Sequence, residues 1–242
     1  MHEGVTEDLL LNGQVRVRQP AQGFRAGIDS VLLAAAVEAD AGMSLMEAGC
    51  GAGAALVCAA HLSPLARFVG IERQADLAAL AQENVVLNGY ADRVTIEAGD
   101  VLAMSGASFD GVFVNPPYDD AATSPPPDLS RAASYLTADS IDVWVRRLAD
   151  RLKGGAAFTM IHRAARLTEI LAAFEGRVGD VEVLPIRPRA DAPAKRILVR
   201  GRKGSRAPLS LLRGLDLHDE SGAKYTPEAE AILRGAGPLI WR

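Results

Sequence analysis

The hydrophobic positions of this chain fall into short runs with two alternating repeat lengths. Four runs of extended type each lead into a polar residue: SLME, RFVGIE, RVTIEAGD and FDGVFVN, which end at Glu47, Glu72, Asp100 and Asn115. Between them, residues 54–61 and 74–88 are rich in Ala, Leu and Glu at a spacing typical of helices. This alternation of strands and helices predicts a parallel sheet with helices on both faces.

The pattern extends on both sides of this segment. Asn12-Gly13 predicts a β-hairpin within residues 9–18, and a helix through VLLAAAVEA follows with Asp29 or Ser30 as its N-cap. Towards the other end, helices are predicted at 141–152, at 165–174 and from Thr226-Pro227, and strands at 156–162, 181–186 and 196–200. Residues 119–139 show no periodicity, and a loop of this length is usually functional or disordered.

These elements predict two parts. We expect residues 1–40 to form an extension of hairpin and helix that packs on a catalytic domain of residues 41–242. In open α/β sheets the ligand binds outside the carboxyl ends of the strands. The strand ends in this chain deliver two glutamates, an aspartate and an asparagine, so the functional site is predicted there.

Composition narrows the class of protein. Of the 242 residues, 49% are hydrophobic and 23% charged, as in folded domains. The first residues carry acids where a secretory signal carries bases, and the longest apolar runs are too short to cross a bilayer. We therefore expect a cytoplasmic protein with no membrane partner. Two cysteines and four scattered histidines predict neither a disulfide framework nor a metal site.

Charge is distributed unevenly along the chain. The net charge of −4 argues weakly against a nucleic-acid partner. Residues 187–206, however, contain a single acid, Asp191, and a cluster of bases: Arg187, Arg189, Lys195, Arg196, Arg200, Arg202, Lys203 and Arg206. Such a segment is either a patch that contacts phosphates or an ordinary solvated face.

The glycine-rich turn EAGCGAG at residues 47–53 predicts a ligand held close to the backbone. Gly49, Gly51 and Ala54 also satisfy the dinucleotide pattern GxGxxA, and Glu72 suits an adenosine ribose in either interpretation. Glu47 argues against a dinucleotide, because a carboxylate there would repel a pyrophosphate, whereas it can hold the ammonium group of an amino acid.

Asn115-Pro116-Pro117-Tyr118 indicates the reaction. An amino group on an aromatic ring is a poor nucleophile because its lone pair is delocalised into the ring. The side-chain oxygen of Asn115 and the main-chain carbonyl of Pro116 can grip its two hydrogens and direct the lone pair outwards. Proline restricts the residue before it to extended geometry, and Tyr118 offers a flat face on which a base can stack.

With these motifs in place, the chain resembles class I methyltransferases that carry the (N/D)PP(Y/F) signature. More narrowly it is similar to the bacterial tRNA1(Val) adenine-N6 methyltransferases. That similarity rests on the lead-in GFRAGIDSVLLAAAV, the turn EAGCGAG, the run AQENVVLNGYADRV, the VNPPY motif and the late segment PAKRILVRGRKG. The resemblance implies a Rossmann-like α/β fold with a mostly parallel, seven-stranded sheet, S-adenosylmethionine as the cofactor, RNA (in particular tRNA) as the partner, and a possible homodimer.

The resemblance also implies roles for individual residues. Cofactor contacts are expected from Glu47, Gly49, Gly51, Gly53, Glu72, Asp100, Val101 and Asn115. Asn115, Pro116 and Tyr118 would act on the target base, and Arg131, Lys195 and Arg196 would contact the substrate. Asp29 lies where such enzymes have an acid near the cofactor, or it is a helix cap. No general base is required, because the methylated amine becomes acidic and loses its proton to water.

Three other functions fit parts of the pattern. A protein glutamine N5-methyltransferase, or an enzyme acting on a small molecule, would use the same chemistry on a different substrate. A dinucleotide-dependent oxidoreductase would use the glycine turn but leaves Glu47 and the NPPY motif unexplained. A module that binds the cofactor without catalysis would leave the NPPY motif without a role.

Overall fold

The computed structural model describes residues 4–22, 25–106, 108–116, 119–120, 135–136, 140–219, 223–237 and 239–242. The helices are α1 (Ile28–Ala36), α2 (Ala54–Leu62), α3 (Ala75–Leu87), α4 (Ile141–Asp150), α5 (Leu167–Phe174) and α6 (Pro227–Leu233). The strands are β1 (Val5–Leu10), β2 (Val15–Pro20), β3 (Ser44–Ala48), β4 (Arg67–Glu72), β5 (Val94–Ala98), β6 (Phe109–Val114), β7 (Asp119–Asp120), β8 (Tyr135–Leu136), β9 (Leu152–Arg163), β10 (Val178–Arg187), β11 (Arg196–Lys203), β12 (Ser210–Leu211) and β13 (Leu215–Asp216).

The central sheet has the strand order β12-β10-β11-β9-β6-β3-β4-β5, with β13 also paired to β10. Strands β5, β4, β3, β6 and β9 are parallel neighbours, and β11 runs antiparallel to both β9 and β10. The seven long strands confirm the predicted mostly parallel sheet, which two short strands, β12 and β13, extend at one end. Because the parallel strands share one direction, their carboxyl ends lie along a single edge.

Alternating side chains of these strands form two hydrophobic layers. Leu45 and Phe113 belong to a core shared with α1, α2 and α6, whereas Met46 and Val112 belong to a core shared with α4 and α5. Successive residues of a strand point to opposite faces, so a strand buried on both faces reads as a continuous apolar run. The prediction of helices on both faces is therefore confirmed.

The N-terminal hairpin is part of the first of these cores. β1 pairs antiparallel with β2 across a turn in which Asn12 and Gly13 have positive φ angles of 56° and 83°. Val15 and Val17 of β2 are completely buried in the core that contains α1 and α2. The hairpin thus covers apolar surface of the sheet domain.

Two local predictions were wrong. The N-cap of α1 is Gly27, and Asp29 lies inside the first turn, where its carboxylate forms an ion pair with Arg196 at 2.6 Å. That partner is 167 positions away, so the local capping pattern carried no sign of it. The helix predicted at 141–152 ends at Asp150, because β9 already begins at Leu152, near a shift in its pairing with β6.

Within the predicted loop of residues 119–139, the two-residue strands β7 and β8 pair in parallel. The rest of that loop lies outside the described residues. At the other end of the chain the predicted helix start is confirmed, since the Thr226 side chain accepts a hydrogen bond from the Ala229 N–H and Pro227 follows as the first helical residue.

Candidate active site

The candidate site lies at the carboxyl edge of the central sheet. Glu47 is the second-to-last residue of β3, Glu72 ends β4, and Asn115 directly follows β6. Strands β4, β3 and β6 are adjacent, so the sheet brings these three predicted residues to neighbouring positions. Asp100 lies two residues beyond the end of β5, at the far side of the same edge.

The glycine turn between β3 and α2 has an open backbone that side chains would strain. Gly49, Gly51 and Gly53 have φ angles of 65°, 55° and 80°, in the left-handed region that favours glycine. A Cβ atom on Gly53 would lie 3.2 Å from the Cβ of Ala81, and one on Gly49 would lie 3.3 Å from the ring of Trp144. The turn is therefore packed on one side by α3 and on another by α4.

The carboxyl group of Glu47 is buried, and within the described ranges it forms no ion pair. The residue is 3% exposed, and its Oε2 atom has no hydrogen-bond partner among those same residues. Burial raises the pKa of Glu47 well above its ordinary value, while the Leu56 N–H acts in the opposite direction and Glu72 raises it further. An orphaned carboxyl oxygen beside a glycine turn suits a ligand that brings an ammonium group.

Glu72 is held rigidly by the backbone around it. Its Oε2 accepts a hydrogen bond from the Gly51 N–H at 2.9 Å, and its Oε1 accepts one from the Gln74 N–H at 2.9 Å. Each carboxylate oxygen can accept a second hydrogen bond, so both oxygens remain able to bind a pair of hydroxyl groups. This arrangement fits the predicted contact with a ribose.

Asp100 is an exposed residue that closes its own turn. Its Oδ1 accepts a hydrogen bond from the Leu102 N–H at 2.9 Å, and the neighbouring Val101 is buried. The predicted adenine contact from these two residues stays a prediction, and the turn explains the aspartate locally as well.

Asn115 and Pro116 continue from β6 at the middle of the edge. The Oδ1 atom of Asn115 is buried, and no group of the described residues forms a hydrogen bond with it. Pro116 is buried directly after it. A buried amide oxygen without a donor is costly, so it indicates an acceptor prepared for a ligand. Tyr118 and Arg131, which were predicted to contact the substrate, lie outside the described residues.

The bases of segment 187–206 have different surroundings in the fold. Ion pairs engage half of it: Arg187 with Asp216, Arg196 with Asp29, Arg200 with Glu182 and Arg202 with Glu38. The interpretation of the whole segment as a phosphate-binding patch was therefore too broad. Arg189 and Lys195 are exposed in the turn between β10 and β11, and within the described ranges neither forms an ion pair.

One histidine and both cysteines are buried in the structure. His162 near the end of β9 is 1% exposed, its Nδ1 accepts the Arg163 N–H at 2.8 Å, and burial together with the charge of Arg166 lowers its pKa to about 4. Cys50 and Cys58 are buried, and burial raises the pKa of both thiols. At neutral pH the histidine is uncharged and the thiols are protonated, so neither type is prepared for proton transfer or nucleophilic attack.

Sequence reasoning missed two residues beside the glycine turn. Trp144 of α4 packs against the hydrophobic core and also against Gly49 of the turn. Asn84 of α3 donates a hydrogen bond to the Ala52 carbonyl of the turn at 2.9 Å. Asn84 stood within the AQENVVLNGYADRV run, but no pattern in that run indicated which of its residues reach the turn.

In the described ranges, no group of three or more His, Cys, Asp or Glu side chains is arranged to bind a metal ion. No helix among the described residues is long and apolar enough to cross a membrane.

Comparison with known proteins agrees with this architecture. Residues 39–153 match the family model described as a methyltransferase domain. A tRNA1(Val) (adenine(37)-N6)-methyltransferase of Porphyromonas gingivalis is 26% identical over 236 residues, which cover 91% of each protein. A release factor glutamine methyltransferase of Moorella thermoacetica is 36% identical over 83 residues, 34% of this chain and 29% of that protein.

Among solved structures, a predicted O-methyltransferase, Atu636 of Agrobacterium tumefaciens, superimposes with a TM-score of 0.72. It is 26% identical in sequence, and the match covers 87% of this chain and 98% of that one. The glycine turn, the strand-end carboxylates and these similarities lead to one conclusion. The chain is an S-adenosylmethionine-dependent methyltransferase with a Rossmann-like fold, and it resembles the bacterial tRNA1(Val) adenine-N6 methyltransferases.

Proposed function

We propose that this methyltransferase modifies the N6 amine of adenine in RNA, with tRNA as its substrate. The observation that carries the proposal is the Oδ1 atom of Asn115, a buried acceptor without a partner at the carboxyl edge of the sheet. An exocyclic amine supplies the N–H donor that this oxygen lacks. The relatives from Porphyromonas gingivalis, named as adenine-N6 methyltransferases of tRNA, support adenine as the base.

The proposed mechanism uses two hydrogen-bond acceptors for the amine and an aromatic ring on which the base stacks. Asn115 Oδ1 and the Pro116 carbonyl accept the two amine hydrogens, so the nitrogen lone pair is turned away from the ring. Tyr118 stacks on the base. S-adenosylmethionine, when bound, would supply the methyl group, with the N–CH₃ bond formed as the S–CH₃ bond breaks, and the amine nitrogen would then give its extra proton to water.

The cofactor would be held by the turn and the strand ends. Glu47 would receive the ammonium group through its orphaned oxygen, and Glu72 the ribose hydroxyls. Gly49, Gly51 and Gly53 would allow the backbone to approach, and Asp100 with Val101 would border the adenine. Charge from the ligand would compensate the burial of Glu47, which the protein itself leaves uncompensated.

The turn between β10 and β11 supplies the RNA contact. β9 is parallel to β6 and β11 is antiparallel to β9, so Arg196 at the start of β11 pairs with Arg163 at the end of β9. Lys195 and Arg189 therefore lie at the same edge of the sheet as Asn115. Arg206 follows the other end of β11, at the opposite edge. Exposed cations beside the site would contact the phosphates that flank the target adenine.

Replacing both Arg189 and Lys195 with alanine is expected to weaken tRNA binding about three- to tenfold. The slope of the logarithm of the binding constant against the logarithm of the salt concentration should become shallower by roughly one to two. The measurement is a titration with tRNA at several salt concentrations. Arg206→Ala is the matched control, because it removes an equally exposed cation from the opposite edge. An equal loss in the control would show that the effect is general attraction and that the turn is not the contact.

The reaction itself is tested by transfer of radiolabelled methyl groups from S-adenosylmethionine to unmodified tRNA, followed by nucleoside analysis. We expect the label in N6-methyladenosine. The match to a release factor glutamine methyltransferase makes a protein amide the second candidate. Label absent from tRNA and present in a release factor would replace the RNA proposal with that one.

A further inference from the structure

Two asparagines one helical turn apart attach α3 to the N-terminal hairpin. Asn88 Oδ1 accepts the Arg16 N–H at 2.9 Å, and its Nδ2 donates to the Arg16 carbonyl at 2.7 Å. Asn84 forms the same two hydrogen bonds with the backbone of Arg18, both at 2.7 Å. Four residues of helix rise by about 6 Å and two of strand by about 6.7 Å, so the two side chains follow β2 in register.

Only one of these asparagines also reaches the glycine turn. Asn84 is completely buried, and its Nδ2 donates a further hydrogen bond to the Ala52 carbonyl at 2.9 Å. The remaining donor of Asn88 instead bonds the Asn84 carbonyl within α3. The backbones of Arg16 and Arg18 thus form equivalent hydrogen bonds with the two asparagines. Only Asn84, which binds Arg18, also contacts the candidate cofactor turn.

The bond to Ala52 completes the restraint of one peptide group. The Gly53 N–H donates to the Cys50 carbonyl at 2.8 Å, and the Ala52 carbonyl accepts from Asn84. A peptide group is planar, so fixing its N–H and its C=O fixes its orientation. The residues on either side of Ala52, Gly51 and Gly53, have positive φ angles and no side chain that could hold them.

We propose that Asn84 is a positioning residue for the cofactor turn, and that through it the N-terminal hairpin supports S-adenosylmethionine binding. Asn84 touches no substrate and takes no part in methyl transfer. It holds the Ala52–Gly53 peptide group in the orientation in which the Gly51 N–H donates a hydrogen bond to Glu72. The extension of residues 1–40 then supports the cofactor site in addition to burying part of the hydrophobic core.

The test compares Asn84→Ala with Asn88→Ala. Each substitution removes two hydrogen bonds to β2, and only Asn84→Ala also releases the Ala52 carbonyl. We expect the Kd for S-adenosylhomocysteine, measured by calorimetry well below both melting temperatures, to rise about tenfold or more for Asn84→Ala and less than about twofold for Asn88→Ala. The KM for S-adenosylmethionine should rise in parallel, with kcat near the unmodified value. Equal Kd values in the two variants would overturn the proposal.

A second measurement uses the unmodified protein and therefore does not depend on a variant that folds. Coupling between two sites is reciprocal, so the cofactor product should stabilise the hairpin contact that reaches the turn. On adding S-adenosylhomocysteine, hydrogen exchange of the Arg18 amide, bonded to Asn84, should slow more than that of the Arg16 amide, bonded to Asn88. Equal slowing of both, or none, would contradict the proposal. The calorimetry and the hydrogen-exchange measurement need only S-adenosylhomocysteine, so they stand apart from the choice of RNA as substrate.

Discussion

Asn115→Ala is expected to lower kcat for tRNA methylation by about 10²- to 10³-fold, the loss typical of removing one preorganised polar group from a transition-state site. The Oδ1 atom is buried and has no hydrogen-bond partner in the described part of the chain, so its hydrogen-bonding capacity is available to the amine. Without it, one amine hydrogen loses its acceptor and the lone pair returns to the ring. Single-turnover methyl transfer to tRNA at saturating cofactor measures the chemical step directly.

Asn115→Asp separates the acceptor from the rest of the side chain. An aspartate has the same shape and keeps an oxygen that accepts a hydrogen bond, so we expect it to retain considerably more activity than alanine. If aspartate and alanine lost activity equally, acceptance by Oδ1 would not be the function of this residue. If alanine kept the original rate, the mechanism proposed for the NPPY motif would be wrong.

Glu72→Ala is expected to weaken binding of S-adenosylhomocysteine by about 10²-fold or more, since hydrogen bonds to a charged group contribute about 1.5–3 kcal/mol each. The substitution removes the acceptors for two ribose hydroxyls. It also removes the acceptors of the Gly51 and Gln74 N–H groups, which hold the turn in place. Isothermal calorimetry with S-adenosylhomocysteine gives the affinity without the need for a methyl acceptor.

The control for this prediction is another glutamate. Glu97 lies exposed on β5, the neighbouring strand, so Glu97→Ala removes the same charge from the same sheet without touching the turn. We expect its Kd to stay within about twofold of the original value, because an exposed charge at a distance is screened by solvent. A comparable loss in both variants would attribute the effect to net charge and would remove Glu72 from the ribose site.

The order of strands and helices was predictable because it is local. Runs such as RFVGIE are apolar on both faces and end in a charged residue, and the structure has this strand at the predicted residues, Arg67–Glu72. The hairpin at Asn12-Gly13 and the helix start at Thr226 are also encoded by adjacent residues, and both were confirmed. The mechanism proposed for Asn115 rested on equally local chemistry, and its buried oxygen agrees with that interpretation.

Long-range pairing decided where local patterns failed. Asp29 was a credible helix cap by sequence, but Arg196 captures its carboxylate across the fold. The basic segment was credible as one patch, but four of its arginines form ion pairs with acids at distant positions of the chain. Which cations stay exposed near the site depends on pairing partners that the linear sequence does not show.

The sequence by itself determined the class of fold, the glycine turn, the acids at the strand ends and the NPPY motif, because each is written in neighbouring residues. Only the tertiary structure decided that the Glu47 and Asn115 oxygens are buried without partners, and that Asn84 joins the hairpin to the Ala52 carbonyl. Burial and hydrogen-bond satisfaction depend on atoms brought together from distant positions. The motifs therefore indicate the type of reaction, and the packing around them determines which atoms remain available to take part in it.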